Sequence, residues 1–442
     1  MSDNRIDDQD GRAAARDTRR TTMSKAKKRS LTESNVETEA TPAETPVAGY
    51  KNSNLSAAKA AKNDEFYTQW ADIEREMNAY LEYDPDVFRD KVVLLPCDDP
   101  EWSNFAKFFA LHFTDYGIKK LISTSYAPDS KPATLSHQPT LFEAEAPQFD
   151  ETLTRTNGKM FVIERSDING DGVINIEDLQ WSYLEGDGDF RSPEVTSLRD
   201  EADIVLTNPP FSLFREFLAW LVDGNVKFSI VGSSNATTYK EIFPLIKDNK
   251  MWKGATANNT DMVFGVPKGV PLKEADQMKA ERLGYPSTDE HDFTRLGNSC
   301  WFTNLDHGRR HEPLQLMTMT DNKKFSKHKE VQGTGYQTYD NFDAIEVPFV
   351  DAIPSDYKGL MGVPVTFLDK YNPDQFEIVF SADDMEQTKE FGVTPLGEKR
   401  VADYYKAGGT GGNSKGHRKL FLYSPRPWVP FKRIVIRHRI VS

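Results

Sequence analysis

The amino-acid sequence predicts an α/β protein: a Rossmann-like, doubly wound sheet, with a mixed α+β region after it and a disordered tail before it. Three observations carry this prediction. Strand-like and helix-like segments alternate from about residue 60 to residue 265, as in a parallel sheet covered by helices. Beyond residue 261 the segments become shorter and richer in Gly, Pro and charge. Before Tyr50 large apolar residues are almost absent.

Residues 1–58 are predicted to form the disordered tail. They are rich in Ala, Thr, Ser and charges of both signs, and so few apolar side chains cannot offset the loss of chain entropy on folding. The basic run KAKKR at residues 25–29 is interpreted as solvated charge. A nuclear address or a phosphate-binding arm is the alternative interpretation.

Composition and charge exclude several classes of protein. A chain of 442 residues is long enough for two or three domains, since single domains usually have about 100–200 residues. The two cysteines, Cys97 and Cys300, can form neither a disulfide framework nor a cysteine-rich zinc site. The net charge of −13 argues against a protein that merely coats a polyanion, although a local basic face can still bind phosphate.

The apolar runs of the sequence are short. None approaches the roughly 18 residues needed to span a bilayer, and the first 20 residues lack the apolar stretch of a secretory signal. We therefore expect a cytoplasmic protein without a membrane partner.

The predicted domain of residues 59–315 begins with an amphipathic helix and a strand–helix–strand unit. Apolar side chains at Ile73, Met77, Tyr80 and Leu81 form one helical stripe. The strand KVVLL (91–95), the helix SNFAKFFALHF (103–113) and the strand KKLISTSY (119–126) follow. This order is the βαβ unit of a parallel sheet.

The same alternation then repeats. The strand in ADIVLTNPPF (202–211) leads into the amphipathic segment SLFREFLAWLVDG (212–224), and KFSIVGSS (227–234) supplies another buried strand. Ligands of doubly wound sheets bind at the carboxyl ends of the strands. Two of those ends carry polar clusters, PCDDP (96–100) and TNPPF (207–211), and these clusters are the predicted site.

Residues 316–442 are predicted to form the mixed α+β region. The regular alternation of strands and helices ends before this region. Short strand-like segments begin with SCWFTNL (299–305) and continue with VPVTFL (363–368), FEIVF (376–380) and FKRIVIRH (431–438).

The end of the strand at residues 204–207 is unusual because two prolines follow it. Neither proline has an N–H, so the side-chain oxygen of Asn208 and the carbonyl of Pro209 can accept hydrogen bonds without a competing donor. A planar group that carries an amine could donate to both acceptors while its ring lies on Phe211, since base–aromatic stacking contributes roughly 1–3 kcal/mol. An exocyclic amine of a nucleobase fits this description. Holding both N–H groups also draws the lone pair out of conjugation, so that the nitrogen can attack an electrophilic methyl group.

The tetrapeptide resembles the (Asp/Asn/Ser)-Pro-Pro-(Tyr/Phe) motif of amino-methyltransferases that use S-adenosylmethionine. NDEFYT (63–68) resembles the motif that closes over the methionine end of the cofactor, and VLLPCDDPEWSNF (93–105) stands in place of the cofactor-binding strand and loop. GDGDFRS (186–192) stands where an acidic residue contacts the adenine of the cofactor. Together these motifs are similar to those of the EcoRI-type adenine-specific DNA methyltransferase family, which includes phage members. The resemblance covers about residues 60–350, and the motifs follow the gamma order of such enzymes.

The resemblance implies transfer of a methyl group from S-adenosylmethionine to N6 of a flipped-out adenine in duplex DNA, in a bacterial cell or a phage-infected host. The implied catalytic residues are Asn208, Pro209, Pro210 and Phe211, with Trp301 or Phe302 covering the other face of the base. The implied cofactor-binding residues are Asn63, Phe66, Tyr67, Thr68, Pro96, Asp98, Asp99, Asn104, Asp189 and Phe190. The sequence departs from related enzymes in two places: PCDDP replaces a glycine-rich loop, and ISTSY (122–126) carries no acid for the ribose hydroxyls.

Other interpretations stay open at this point. The same chemistry could act on N4 of cytosine, on a base in RNA or on a protein glutamine, and a non-catalytic, calcium-stabilised DNA-binding protein is the rival of a different class. Asp98 and Asp99 could simply cap a helix, and EFYTQW (65–70) could be an aromatic staple.

Residues 167–178 match the spacing of a calcium-binding loop. The predicted ligands are Asp167, Asn169, Asp171, Asn175 and Asp178, with Gly172 at the sixth position. A strand-like segment precedes the loop instead of a helix, and Asp178 replaces the usual bidentate Glu. A surface insertion rich in Asx turns is therefore the alternative.

Two basic patches in the region of residues 316–442 predict contacts with DNA phosphates, and we interpret this region as the one that recognises the target sequence. Eight Lys or Arg residues and no acid lie between Lys415 and Arg439, and NKKFSKHK (322–329) is the second patch. A basic edge strand that discourages aggregation is the alternative. The predicted DNA-binding residues are Lys323, Lys324, Arg418, Lys419, Lys432, Arg433 and Arg437. The sequence does not predict the oligomeric state.

Overall fold

The computed structural model describes residues 66–99, 103–127, 146–166, 170, 174, 178–256, 261–410 and 412–439. The predicted tail of residues 1–58 lies outside these ranges. The helices are α1 (Trp70–Tyr83), α2 (Asn104–Leu111), α3 (Leu153–Thr156), α4 (Pro193–Glu201), α5 (Phe214–Asp223), α6 (Phe243–Lys247), α7 (Glu274–Arg282), α8 (Met319–Phe325), α9 (Met385–Glu390) and α10 (Glu398–Lys406).

The strands alternate with these helices in the first part of the chain and predominate after it. They are β1 (Tyr67–Thr68), β2 (Val92–Leu95), β3 (Lys120–Ser125), β4 (Lys159–Glu164), β5 (Gln180–Tyr183), β6 (Ile204–Thr207), β7 (Lys227–Ser233), β8 (Trp252–Lys253), β9 (Val263–Pro267), β10 (His291–Arg295), β11 (Ser299–Thr303), β12 (Gln337–Thr338), β13 (Ile345–Glu346), β14 (Met361–Pro364), β15 (Phe376–Ser381) and β16 (Arg433–His438). Short 3₁₀ turns include Phe211–Leu213, Ser234–Thr238 and Val350–Ala352.

The main sheet is mixed, with a parallel centre. Its order in the described residues is β5-β4-β3-β2-β6-β7-β11-β8. Strands β3, β2, β6 and β7 are parallel neighbours, whereas β4 and β5 on one side and β11 and β8 on the other run antiparallel to their neighbours. The chain leaves β2 toward β3 on one side and returns later to β6 on the other. A crevice for ligands opens at the carboxyl ends where strand order reverses in this way.

The centre of this sheet is covered on both faces. Every residue of β2 and β6 is buried, as expected for parallel strands between two layers of helices. Alternate side chains of these strands enter two core clusters, one with Leu94 and Val205 and the other with Val93 and Leu206. Helix α5 packs into the first cluster and α2 into the second. The predicted α/β class is therefore confirmed.

Helix boundaries follow local sequence signals. The Ser103 hydroxyl accepts from the Phe105 N–H at the start of α2, and the Ser192 hydroxyl accepts from the Val195 N–H at the start of α4; such caps satisfy free amides of the first turn. Helix α5 ends at Gly224. The predicted helices near residues 71–83, 103–113 and 212–224 all form, within a few residues of the predicted bounds.

In the described ranges, two smaller sheets accompany the main one. Strands β1, β9 and β10 form a three-stranded antiparallel sheet. Strands β12-β13-β14-β16-β15 form a five-stranded sheet, and its side chains share a core cluster with the main sheet, as Phe228 and Ile436 illustrate. The segment SCWFTNL supplies β11 of the main sheet. The domain division at residue 315 stays a prediction. Within the described ranges, no helix combines the length and the apolar character needed to cross a membrane.

Candidate active site

Asn208, Pro209, Pro210 and Phe211 lie directly after β6, at the carboxyl edge of the parallel strands. Pro209 is buried, and the Pro210 carbonyl accepts from the Leu213 N–H at 2.9 Å, which closes the 3₁₀ turn that leads into α5. Because neither proline can donate to a strand ladder, β6 ends at Thr207 and the chain turns away from the sheet.

The Asn208 side chain is held by its amide nitrogen, which donates to the carbonyl of Phe66. Its amide oxygen Oδ1 is buried and has no hydrogen-bond partner in the described structure. Since a carbonyl can only accept, the bond to Phe66 determines which end of the amide is left unpaired. No described residue donates to the Pro209 carbonyl either. A buried unpaired acceptor of this kind costs about 1–3 kcal/mol, and a ligand with N–H donors would remove that cost.

Phe211 belongs to a group of three aromatic rings. It stacks on Phe66 with 5.6 Å between the ring centroids and 16° between the planes. Phe264 meets both rings edge-on, at 6.1 Å from Phe66 and 6.2 Å from Phe211. Phe211 remains partly exposed, so a ring surface is left for a further planar group. The sequence predicted Phe66 and Phe211 for this site, whereas it did not predict Phe264.

Residues 66–68 are fastened to this edge by two contacts. Strand β1 pairs with β9, with Tyr67 opposite Gly265 and Thr68 opposite Phe264. The amide nitrogen of Asn104, at the start of α2, donates to the Thr68 carbonyl at 2.8 Å. Residues 66–68 and the tetrapeptide at 208–211 therefore meet in space, although Phe66 and Asn208 are 142 residues apart in the sequence. Asn63, another predicted cofactor residue, lies outside the described residues.

Asp98 joins the ends of three strands. Its carboxylate accepts from the Ser103 hydroxyl at 2.5 Å and from the Thr207 hydroxyl at 2.6 Å. Its backbone carbonyl accepts from the Ser123 hydroxyl. Burial raises the pKa of Asp98 to about 7, and the two hydroxyl donors oppose this shift. Asp98 is thus turned inward, at the point where the ends of β2, β3 and β6 approach the start of α2.

Neighbouring residues of the same loop have other roles. Asp99 is half-buried, and its carbonyl accepts from the Ser103 N–H at 2.7 Å. The Pro96 carbonyl accepts from the Thr207 hydroxyl at 2.7 Å. Thr207 is the last residue of β6 and Ser123 lies in the second half of β3, and the sequence predicted no role for either hydroxyl.

Asp98 gives a testable pH dependence. Because its pKa is higher in the folded protein than in the unfolded chain, the folded state binds more protons between about pH 4 and pH 7. The stabilisation from this group is present below about pH 4 and is lost as the pH rises to about 7. The free energy of unfolding of the wild type should therefore fall as the pH rises through this window, while that of Asp98→Asn does not fall through this group. Denaturant titrations should show that the difference shifts in favour of Asp98→Asn with rising pH. A difference that stays constant with pH would contradict the assignment.

An acidic residue from another part of the chain lies beside the end of β3. The Asp187 carbonyl accepts from the Ala127 N–H at 2.8 Å. Burial and a hydrogen bond with the Asp187 carboxylate raise the pKa of Tyr126 to about 12. Gly188 has a φ of +84° and lies so close to β3 that a Cβ on it would collide with the Ser125 carbonyl oxygen, so only glycine fits there. The carboxylate of Asp187 is therefore brought to the strand end where the sequence showed none.

The two residues predicted from this loop have partners within the protein. Asp189 forms a two-point ion pair with Arg191, at 2.6 and 2.9 Å, and this pairing lowers the pKa of Asp189. The Phe190 ring is buried against Phe217 at 4.9 Å and Trp220 at 5.6 Å. The loop reaches the edge of the sheet, while the Phe190 ring points into the core.

Comparison with known proteins identifies the family. A family model described as "Adenine-specific methyltransferase EcoRI" matches residues 54–439. The chain belongs to this family. Among curated proteins it is 40% identical to the type II methyltransferase M.EcoRI of Escherichia coli over 331 residues, which cover 74% of this chain and 89% of that one. It is 34% identical to the type II methyltransferase M.MpnI of Mycoplasma pneumoniae over 325 residues, which cover 74% of this chain and 84% of that one. No solved structure matches the chain.

The protein is thus a site-specific DNA adenine methyltransferase, and membership of this methyltransferase family implies that S-adenosylmethionine is the methyl donor. The residues at the carboxyl edge fit such a donor and an adenine. Asn208 offers an unpaired buried acceptor, Phe211 offers a ring surface and Asp187 offers a carboxylate beside β3.

Trp301 and Phe302 lie at the centre of β11 in this methyltransferase and are fully buried. They face opposite sides of the main sheet. The ring centroids of Trp301 and Phe105 lie 5.8 Å apart, and those of Phe302 and Phe214 lie 5.2 Å apart. A base could reach either ring only if the core opened. Their stacking role therefore stays a prediction from sequence.

The Lys and Arg side chains predicted to bind DNA differ in whether they already have partners within the protein. Lys323 and Lys324 are exposed on α8 and form no ion pair with a described residue. The other predicted cations have intramolecular partners: Arg418 with the Val393 carbonyl, Lys419 with Asp383, Lys432 with the Thr238 hydroxyl, Arg433 with Glu346 and Arg437 with Glu377. Arg433 and Glu346 are both nearly buried, at 10% and 5% side-chain exposure. Arg433 is therefore better suited to holding the sheet together than to contacting phosphate.

The predicted calcium loop falls mostly outside the described residues, since Asp167, Asn169, Asp171 and Asn175 are not among them. Asp178 is described and buried. Among the residues with described structure, no group of three or more His, Cys, Asp or Glu could hold a metal ion. Calcium binding by the methyltransferase is not supported.

Proposed function

We propose that the methyl group is transferred to N6 of an adenine that has left the duplex and entered the carboxyl edge of the main sheet. The observation that supports this most directly is the buried, unpaired Oδ1 of Asn208. An exocyclic amine has two N–H donors, and Asn208 Oδ1 and the Pro209 carbonyl are two acceptors without competing donors. The base ring would lie on the partly exposed Phe211.

The residues of the chain would act mainly by positioning the amine. Two hydrogen bonds to the amine hold its lone pair away from conjugation with the ring, which makes the nitrogen a better nucleophile. Bound S-adenosylmethionine supplies an electrophilic methyl group on a sulfonium. Orientation of two reactants can remove several kcal/mol of a barrier, with measured contributions of about 7–11 kcal/mol in well-aligned systems. Methyl transfer needs no Lewis acid, so a calcium ion at 167–178 would have only a structural role.

The cofactor would occupy the crevice between β2 and β6. Residues 66–68, the loop 96–99 and Asp187 are the groups that would hold it. The Asp187 carboxylate suits ribose hydroxyls, because hydroxyls donate and a carboxylate accepts. Asn104 and Asp98 would act through the backbone segments that they fasten, namely residues 66–68 and the ends of β2 and β6.

The finer organisation is part of the same proposal. The main sheet would be a Rossmann-like, doubly wound methyltransferase sheet, and residues 316–442, which include the five-stranded sheet, would recognise the target sequence in double-stranded DNA. The enzyme would act in the cytoplasm, where its substrate is. A role in restriction–modification fits the type II relatives.

The direct test is transfer of labelled methyl groups to duplex DNA, followed by digestion and analysis of the nucleosides. We expect N6-methyladenine as the labelled product. Label in N4-methylcytosine, in RNA or in protein glutamine, or no transfer at all, would contradict the proposal.

A further inference from the structure

Phe431 is the most exposed large apolar side chain among the described residues, with 77% of its surface accessible. It lies between buried Pro430 and Lys432, just before β16. The Lys432 ammonium lies 5.8 Å from the centroid of the Phe431 ring. An apolar ring so fully in water is unfavourable, and its cationic neighbour indicates an anionic partner.

The backbone around this ring is held firmly. A guanidinium N–H of Arg433 donates to the Phe431 carbonyl at 2.7 Å, and that guanidinium is itself paired with buried Glu346. The Lys432 carbonyl accepts from the Val365 N–H at 3.2 Å. Lys432 has a φ of +37°, a conformation that side chains other than glycine rarely adopt and that often marks functional positions. The ring therefore stands on a rigid, strained tip and not on a loose loop.

The tip lies beside the carboxyl edge of the main sheet. Lys432 Nζ contacts the Thr238 hydroxyl at 3.3 Å, and Thr238 ends the 3₁₀ turn that follows β7 directly. Strand β7 is the parallel neighbour of β6, which ends at Thr207, directly before Asn208. The next residue, Tyr239, is 41% exposed and lies 5.8 Å from the guanidinium of Arg215. Aromatic and cationic groups thus adjoin the edge at which the adenine would enter.

We infer that Phe431 contacts the DNA base stack next to the target adenine and fills the space that the adenine leaves. This inference rests on the proposed function. Removing a base from the stack exposes the faces of its neighbours, and an apolar side chain inserted there restores part of the lost stacking. The adjacent Lys432 supplies a positive charge toward the phosphates. Phe431 acts as a positioning residue: it does not touch the reacting atoms.

The test uses the full-length enzyme and a short duplex that carries its methylated sequence, identified by mapping N6-methyladenine. Phe431→Ala should lower kcat/KM for methylation by about tenfold to a hundredfold, the range that base–aromatic stacking contributes. A second duplex carries the target adenine opposite a mismatched base, which makes the adenine easier to extrude. On this duplex the defect of Phe431→Ala should shrink to about threefold or less, because less unpairing and unstacking remains to be offset. Phe431→Trp keeps a ring and should retain activity.

The matched control is Leu111→Ala. Leu111 is also strongly exposed, at 64%, but it is the last residue of α2 and lies outside the site and the basic patches. This variant should stay within about twofold of wild type, since exposed substitutions away from a site have small effects. Equal effects of Phe431→Ala and Leu111→Ala would overturn the inference, and so would a Phe431→Ala defect of the same size on both duplexes. If wild type itself makes no N6-methyladenine, the proposed function fails; if wild type is active and Phe431→Ala is equally active, only this inference fails.

Discussion

Replacing Asn208 by alanine is expected to lower the rate of adenine methylation by about 10²–10³-fold, the usual effect of removing one pre-positioned hydrogen-bonding group from a reacting centre. Alanine removes the unpaired acceptor Oδ1. It also removes the donor that holds the Phe66 carbonyl. The amine would then keep at most one acceptor, the Pro209 carbonyl. Methyl transfer to duplex DNA under single-turnover conditions measures the chemical step.

Two further variants separate the role of Asn208 as an acceptor from its role as a donor to the Phe66 carbonyl. Asn208→Asp keeps acceptor oxygens but has no N–H for the Phe66 carbonyl, so we expect activity between that of wild type and that of Asn208→Ala. Asn298→Ala removes an amide at the same edge, one whose nitrogen donates to the Ser233 hydroxyl at 2.9 Å, and should stay within a few-fold of wild type. An Asn208→Ala enzyme that methylates as fast as Asn298→Ala would refute the proposed role.

Arg433→Ala is expected to lower the free energy of unfolding by about 3–5 kcal/mol, because it leaves a buried carboxylate without its partner. The guanidinium contacts Glu346 at 2.5 Å, and the Tyr339 hydroxyl donates to the same carboxylate. The Arg433–Glu346 pair joins β16 to β13 across the five-stranded sheet. The sequence predicted a phosphate contact at Arg433, for which the expected result is weaker DNA binding with unchanged stability. Urea or guanidinium titration distinguishes the two roles.

Arg437→Ala provides the control on the same strand. Arg437 pairs with Glu377 at 2.7 Å, but both side chains are exposed, at 52% and 38%. Exposed ion pairs contribute about 0–1 kcal/mol, so this variant should unfold at nearly the wild-type denaturant concentration. If Arg433→Ala and Arg437→Ala have the same stability, the buried pair does not stabilise the sheet as inferred.

Much of the fold could be predicted from sequence because its signals are local. The apolar runs of β2 and β6 and the stripe of α1 need no information from distant residues. The proline pair that ends β6 is equally local, and it indicated two acceptors without competing donors. Strand pairing at the sheet margins is not local. The segment around Trp301 has the same apolar character in any sheet, and its position between β7 and β8 depends on contacts that short windows do not contain.

The roles of charged and aromatic side chains depended most on tertiary contacts. Asp98 and Asp99 are adjacent and chemically alike, yet only Asp98 is buried against Ser103 and Thr207. Arg433 belongs to the same basic run as Arg437 but faces a buried carboxylate. A side chain's charge is visible in sequence, whereas its desolvation and its partner are set by elements elsewhere in the chain.

The sequence by itself determined the α/β class, the strand that ends directly before Asn208 and, through its motifs, the family and the adenine as target. Only the tertiary structure decided that the Phe66 carbonyl orients the Asn208 amide and that the Asp187 carboxylate lies beside the end of β3. It also decided that Phe190 and Trp301 belong to the core. The physical reason is that periodicity and proline chemistry act within a few residues, while hydrogen-bond partners and burial arise where segments more than 100 residues apart come together, such as Phe66 and Asn208, 142 residues apart.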